Sequence, residues 1–104
     1  MSEEVNVMLS IAICDDEEYF RTTEKKLISK YMAGKNCECM IDMYKSGKEL
    51  LALRSAISQY NIIFLDVNME EIDGIETAKE IRKISKDVFI VFVTAFITYA
   101  LEGY

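Results

Sequence analysis

The sequence contains no histidine, no proline and no tryptophan, and only four glycines among 104 residues. Without histidine the chain cannot run Ser-His-Asp or Cys-His catalysis, build an imidazole metal site or carry a phosphohistidine. Cysteine is sparse: Cys14, Cys37 and Cys39. The C-x-C spacing of Cys37 and Cys39 is not the usual zinc spacing, and no second ligand pair accompanies it. The three read as reduced thiols of a cytoplasmic protein. Basic residues are in deficit, 12 against 18 acidic, for a formal charge of −6. That balance argues against nucleic-acid binding by the chain itself, because neutralising phosphates needs a basic face. The longest nearly apolar run, Val88 to Ala100, is interrupted by Thr94 and Thr98 and falls short of the roughly 20 residues that cross a bilayer. The opening MSEEVNV is acidic and lacks the basic-then-apolar order of a signal peptide. No membrane association is expected.

What remains is a chain of one-domain size with ordinary apolar content. Leu9 to Cys14 is a short apolar run that stops at Asp15, Asp16, Glu17 and Glu18. It predicts a strand buried on both faces, with the acids in the first turn of a following helix. That helix runs to about Met32, with Phe20, Leu27, Ile28 and Tyr31 as its apolar stripe and Gly34 as its C′ residue. Cys39 to Tyr44 is a second strand, and Asp42 marks it as an edge. Ser46-Gly47 opens a second helix with Leu50, Leu51, Leu53 and Ile57 inward, ending near Tyr60. Ile62 to Leu65 is a third strand ending at Asp66. A loop through Asp73-Gly74 leads to a third helix with Ile75, Ala78, Ile81 and Ile84 on one side. Val88 to Val93 is a fourth strand, and a fourth helix begins near Phe96. This alternation predicts an α/β fold, a parallel sheet with helices on both faces.

In such a sheet, sites form beyond the carboxyl ends of the strands. The first strand ends in Asp15 and Asp16, the third in Asp66 and the fourth in Thr94. If the first and third strands are neighbours, three carboxylates converge. Clustered carboxylates repel, so they hold either a proton or a cation. Oxygen-only ligands favour Mg²⁺ or Mn²⁺ over zinc. A carboxylate beside such a cation can attack a phosphoryl group and become an aspartyl phosphate.

The segments ICDDEE (13–18), LDVNMEEIDG (65–74) and VFVTA (91–95) resemble the receiver domain of two-component response regulators. The ending TAFITYALEGY is similar to receivers of the LytTR class, which carry a separate DNA-binding domain. The resemblance implies a flavodoxin-like, doubly wound sheet of strand order 2-1-3-4. It implies Asp66 as phosphoacceptor, Asp16 and Asp15 as magnesium ligands, Asn68 as a ligand through its backbone carbonyl, and Thr94 as the switch hydroxyl. A sensor histidine kinase is the implied phosphodonor, and a downstream DNA-binding output domain the implied effector. Ala95 fits the small residue beside the switch hydroxyl, and Phe96 sits where receivers vary the access of water. Asp73-Gly74 matches the turn before the third helix, with Gly74 serving backbone geometry.

Two features depart from the family's pattern. Glu70 follows Met69 where proline is usual, which predicts a looser loop. The fifth strand and helix, and the lysine that pairs with the phosphoryl oxygens, do not occur before Tyr104. The chain therefore reads as a receiver, residues 8–104, incomplete before its fifth βα unit, with residues 1–7 as an N-terminal extension. On that reading the fourth strand is an open edge that invites self-association. Two other readings stand beside the phosphoacceptor switch. One is an aspartate-nucleophile phosphatase of the haloacid-dehalogenase type, to which IIFLDVN is similar, although its second acid is replaced by Asn68. The other is an interaction scaffold without phosphotransfer.

Overall fold

The computed structural model describes residues 8–94. The elements are β1 (Met8–Cys14), α1 (Glu18–Gly34), β2 (Glu38–Tyr44), α2 (Gly47–Leu51), a 3₁₀ helix (Arg54–Gln59), β3 (Ile62–Asp66), α3 (Gly74–Ile84) and β4 (Phe89–Val93). The strands form one parallel sheet of order β2-β1-β3-β4. Among the described residues β2 and β4 are its edges. The fourth helix expected near Phe96, together with Ala95, Phe96 and residues 1–7, lies outside the described residues.

The central strands are apolar on both faces, so both must be covered. Ile11, Ala12, Ile13 and Cys14 are all buried. Ala12, Cys14, Ile63 and Leu65 pack with Leu50, Ile57, Ala78 and Ile81 beneath α2, the 3₁₀ helix and α3. α1 packs against β1 and β2 and contributes nothing to that cluster, which leaves it the opposite face. No helix among the described residues is long and apolar enough to cross a membrane.

Four local expectations are corrected. The stripe of Phe20, Leu27 and Tyr31 on α1 does not face the sheet: these residues are 45%, 64% and 62% exposed. At 100° per residue the inward face is centred about a quarter turn away, on buried Arg21 and half-buried Ile28 and Met32. The left-handed residue after α1 is Asn36 (φ 54°), not Gly34, and its N–H bonds to the Ala33 carbonyl. The second helix is not continuous. It stops at Leu51, and the chain passes Arg54 in a left-handed conformation (φ 51°) into the 3₁₀ helix. Leu50, Ile57 and Tyr60 are buried all the same. On α3 the inward positions are Gly74, Thr77, Ala78 and Ile81, spaced i, i+3, i+4 and i+7. Ile75 and Ile84 are exposed at its sides. The edge character of β2 holds. Its Asp42 accepts a 2.6 Å hydrogen bond from the Tyr60 hydroxyl, which also contacts the Tyr44 hydroxyl.

Candidate functional site

The carboxyl ends of β1 and β3 are adjacent, because Cys14 pairs with Leu65. The next residue on each strand is therefore an aspartate, and Asp15 and Asp66 meet at one end of the sheet. Asp15 is 4% exposed. Its N–H donates to the Tyr44 carbonyl (3.1 Å) and its carbonyl accepts from Arg21 Nη1 (2.8 Å). Its Oδ1 accepts the Glu17 N–H at 2.9 Å, fixing the carboxylate where α1 begins. Asp66 Oδ1 accepts the Asn68 N–H at 3.2 Å. Asp16 is half-buried, and its Oδ2 accepts the Glu70 N–H at 3.1 Å. Asp15, Asp16 and Asp66 each offer a carboxylate oxygen, and these oxygens lie within 4.8 Å of one another.

The three line an open cleft of about 1130 Å³ that Asn68 and Thr94 also border. The Val67 N–H bonds to the Val93 carbonyl (3.0 Å), which holds the ends of β3 and β4 level and brings Thr94 to the cleft. All five sequence-predicted site residues thus share one place.

The loop from β3 to α3 keeps its shape through contacts its sequence encodes. Asp73 caps α3 by accepting the Glu76 N–H at 2.8 Å. Gly74 is required by space rather than by φ, which corrects the expectation of special backbone geometry. Its N–H bonds to the Val67 carbonyl (3.0 Å), and a Cβ there would lie 2.1 Å from the Asp66 carbonyl oxygen. Glu71 takes the left-handed conformation (φ 64°) and pairs with Lys48 at 3.1 Å on the surface.

Sequence reasoning missed Glu24. It lies on α1 at the cleft, beside Asp15, with Oε2 buried and without a partner. The available signal was an acid placed four residues after Phe20 on the stripe taken as apolar. Burial, and then the Asp15 carboxylate, push the Glu24 carboxyl up to about 8. Asp66 is raised to about 6 by burial and by Asp15, partly opposed by the Asn68 N–H. The Cys14 thiol beneath them is pushed up to about 12, chiefly by burial, so it stays protonated and unreactive.

Among the described residues lining the cleft, none is basic. A buried carboxylate oxygen without a partner, three converging carboxylates and an all-oxygen donor set fit a hard divalent cation.

Residues 11–103 match the response regulator receiver domain family. The chain is 33% identical over 98 residues to the sensory transduction protein LytT of Oceanobacillus iheyensis, covering 92% of this chain and 38% of that protein. It is 44% identical over 48 residues to the transcriptional regulatory protein LytR of Staphylococcus aureus, covering 46% of this chain and 20% of that one. The chain thus spans well under half the length of these relatives. Among solved structures it is similar to the Thermotoga maritima response regulator TrrA in complex with Mg(2+)-BeF, at 34% identity and a TM-score of 0.64, covering 91% of this chain and 76% of that one. A receiver domain protein from Clostridium thermocellum shares the fold, at 18% identity and a TM-score of 0.70, over 91% of this chain and 73% of that one. By sequence, sheet order and relatives together, this chain belongs to the response regulator receiver domain family of two-component systems.

Proposed function

We propose that the chain is a phosphoacceptor switch in which Asp66 takes a phosphoryl group in a Mg²⁺-dependent step. One observation carries this reading: carboxylates from two neighbouring strand ends lie within 4.8 Å in a cleft that has no basic lining residue among the described residues. Asp15, Asp16, Asp66 and the Asn68 carbonyl would hold Mg²⁺, or Mn²⁺ with the same oxygen preference. When bound, that cation neutralises the carboxylates and the incoming phosphoryl oxygens.

The chain's own residues supply the rest. Asp66 is the nucleophile: one carboxylate oxygen bonds to phosphorus as the bond to the donor's leaving group breaks. Its Oδ1 is oriented by the Asn68 N–H. Thr94, on the cleft wall, would hydrogen-bond the transferred group and report its presence through the segment after β4. No histidine occurs in the chain, so the phosphohistidine must come from a partner, a sensor histidine kinase. One relative's name, transcriptional regulatory protein, supports a role in transcription control; we assign that output to a separate DNA-binding domain and place the chain in the cytoplasm. With a formal charge of −6, the chain itself would not bind nucleic acid. Self-association would run through β4, an edge among the described residues, whose Phe89 and Phe92 are 66% and 42% exposed.

Incubation with acetyl phosphate and, separately, with p-nitrophenyl phosphate tests the switch reading. A single stoichiometric acyl phosphate without phosphomonoester turnover is expected. Sustained turnover of the phosphomonoester would replace the switch with a phosphatase.

A further inference from the structure

Each aspartate of the cleft accepts one backbone N–H, but not from equivalent places. Asp15 and Asp66 are served by the N–H two residues further on, Glu17 at 2.9 Å and Asn68 at 3.2 Å. Such local bonds travel with their own strand end. Asp16 is different: its Oδ2 accepts from Glu70, 54 residues away on the loop between β3 and α3. It is the one hydrogen bond that Asp16 makes among the described residues, and it leaves Oδ1 free. The donor is a main-chain N–H, which a proline at this position would lack. Glu70 stands where the family usually has proline, so the departure from the pattern supplies the bond.

From this geometry we infer that the Glu70 N–H is a positioning group for Asp16, tying that carboxylate to the β3–α3 loop. The inference rests on the reading of the cleft as a cation site and deepens it. A cation ligand half-open to solvent loses rotamer freedom when it binds, and a donor on its second oxygen restricts that freedom beforehand. The loop that carries the donor is itself held at several points. Gly74 bonds back to Val67, Asp73 caps α3, and the left-handed Glu71 pairs with Lys48. The Asp16 carboxylate and the loop therefore take their geometry from each other. Rather than loosening the loop, the residue in place of proline fastens it to the first strand's end.

Two measurements test this. In the first, Mg²⁺ is titrated by calorimetry into the parent chain, Glu70→Ala and Glu70→Pro. Outer donors to metal-ligating carboxylates are worth about 10–100-fold in affinity. Glu70→Pro should bind Mg²⁺ about tenfold more weakly than Glu70→Ala, which keeps the N–H. Equal affinities in the two variants would overturn the inference. The second needs neither metal nor proline, and decides the matter should Glu70→Pro not fold. Amide hydrogen exchange is followed in EDTA for the parent and for Asp16→Ala. The Glu70 amide should exchange at least about fivefold faster in Asp16→Ala, while the Asn68 amide, bonded to Asp66, keeps its rate. An unchanged Glu70 rate would overturn the inference. A parent chain that takes up no Mg²⁺ would remove the cation reading and the metal half of the inference with it, whereas the exchange result would still decide whether the amide holds Asp16.

Discussion

Glu24 offers the sharpest quantitative expectation, because it adds a further carboxyl to a cleft already crowded with negative charge. Burial and Asp15 raise its pKa from an ordinary 4.5 to about 8. Folding thus strengthens proton binding at this group. Between those limits the folded chain holds more protons than the unfolded one, so stability falls as pH rises from about 4.5 to about 8. Asp66, raised from 3.8 to about 6, adds a slope of the same sign over the lower part of that window. Each pKa unit corresponds to about 1.4 kcal/mol. Glu24 is only half-buried, and solvent screening brings its penalty down to about 1–2 kcal/mol at pH 8. Glu24→Gln keeps the side-chain length, can donate to Asp15 and carries no charge. It should therefore raise the melting temperature of the metal-free chain at pH 8 by about 5–10 °C. At pH 5 the parent carboxyl already holds its proton, and the difference should shrink to within about 2 °C. Circular dichroism melts in EDTA at pH 5, 6.5 and 8 decide it. A glutamine variant that melts below the parent at pH 8, or that keeps the parent's full pH slope, would refute the reasoning.

Gly74→Ala puts a methyl group 2.1 Å from the Asp66 carbonyl oxygen, a contact that only a backbone shift can relieve. It should cost about 3 kcal/mol in urea unfolding. Asp16→Asn removes one of the three clustered charges. The metal-free chain should melt no lower than the parent, and the rise in melting temperature on adding Mg²⁺ should disappear. Phe89→Lys places a charge on the exposed β4 edge. Light scattering should show an associated parent and a variant at the monomer mass of 12.0 kDa.

The strands and the acidic cleft were legible in the sequence for the same reason. Continuous apolar runs such as Ile11–Cys14 and Ile62–Leu65 call for cover on both faces, and the aspartates that follow mark where each strand ends. Residue type therefore put Asp15, Asp16 and Asp66 at strand ends, and the strand order implied by the family resemblance brought them together. Helix orientation was less legible. Phe20, Leu27 and Tyr31 form a regular stripe, but apolar spacing does not say which flank of a helix meets the sheet. There the Arg21 guanidinium, bonded to the Asp15 carbonyl, occupies the inward side. The break after α2 depends on a left-handed Arg54, a residue type that carries no turn signal. Gly74 and Glu70 act through a close backbone approach and a main-chain N–H, neither of which leaves a mark in side-chain chemistry. Glu24 did leave one, an acid on an apolar stripe, and would have been found by asking what could neutralise it.

The central claim is that Asp66 accepts a phosphoryl group with the help of a cation held by its neighbours. Intact-mass spectrometry of the chain after incubation with acetyl phosphate tests it most directly, with Mg²⁺ or EDTA, in parallel with Asp66→Asn. The account predicts one added phosphoryl group, about 80 Da, on the parent in Mg²⁺ and none in EDTA or on Asp66→Asn. Equal labelling of the parent and Asp66→Asn, or labelling of the parent that does not respond to Mg²⁺, would contradict it.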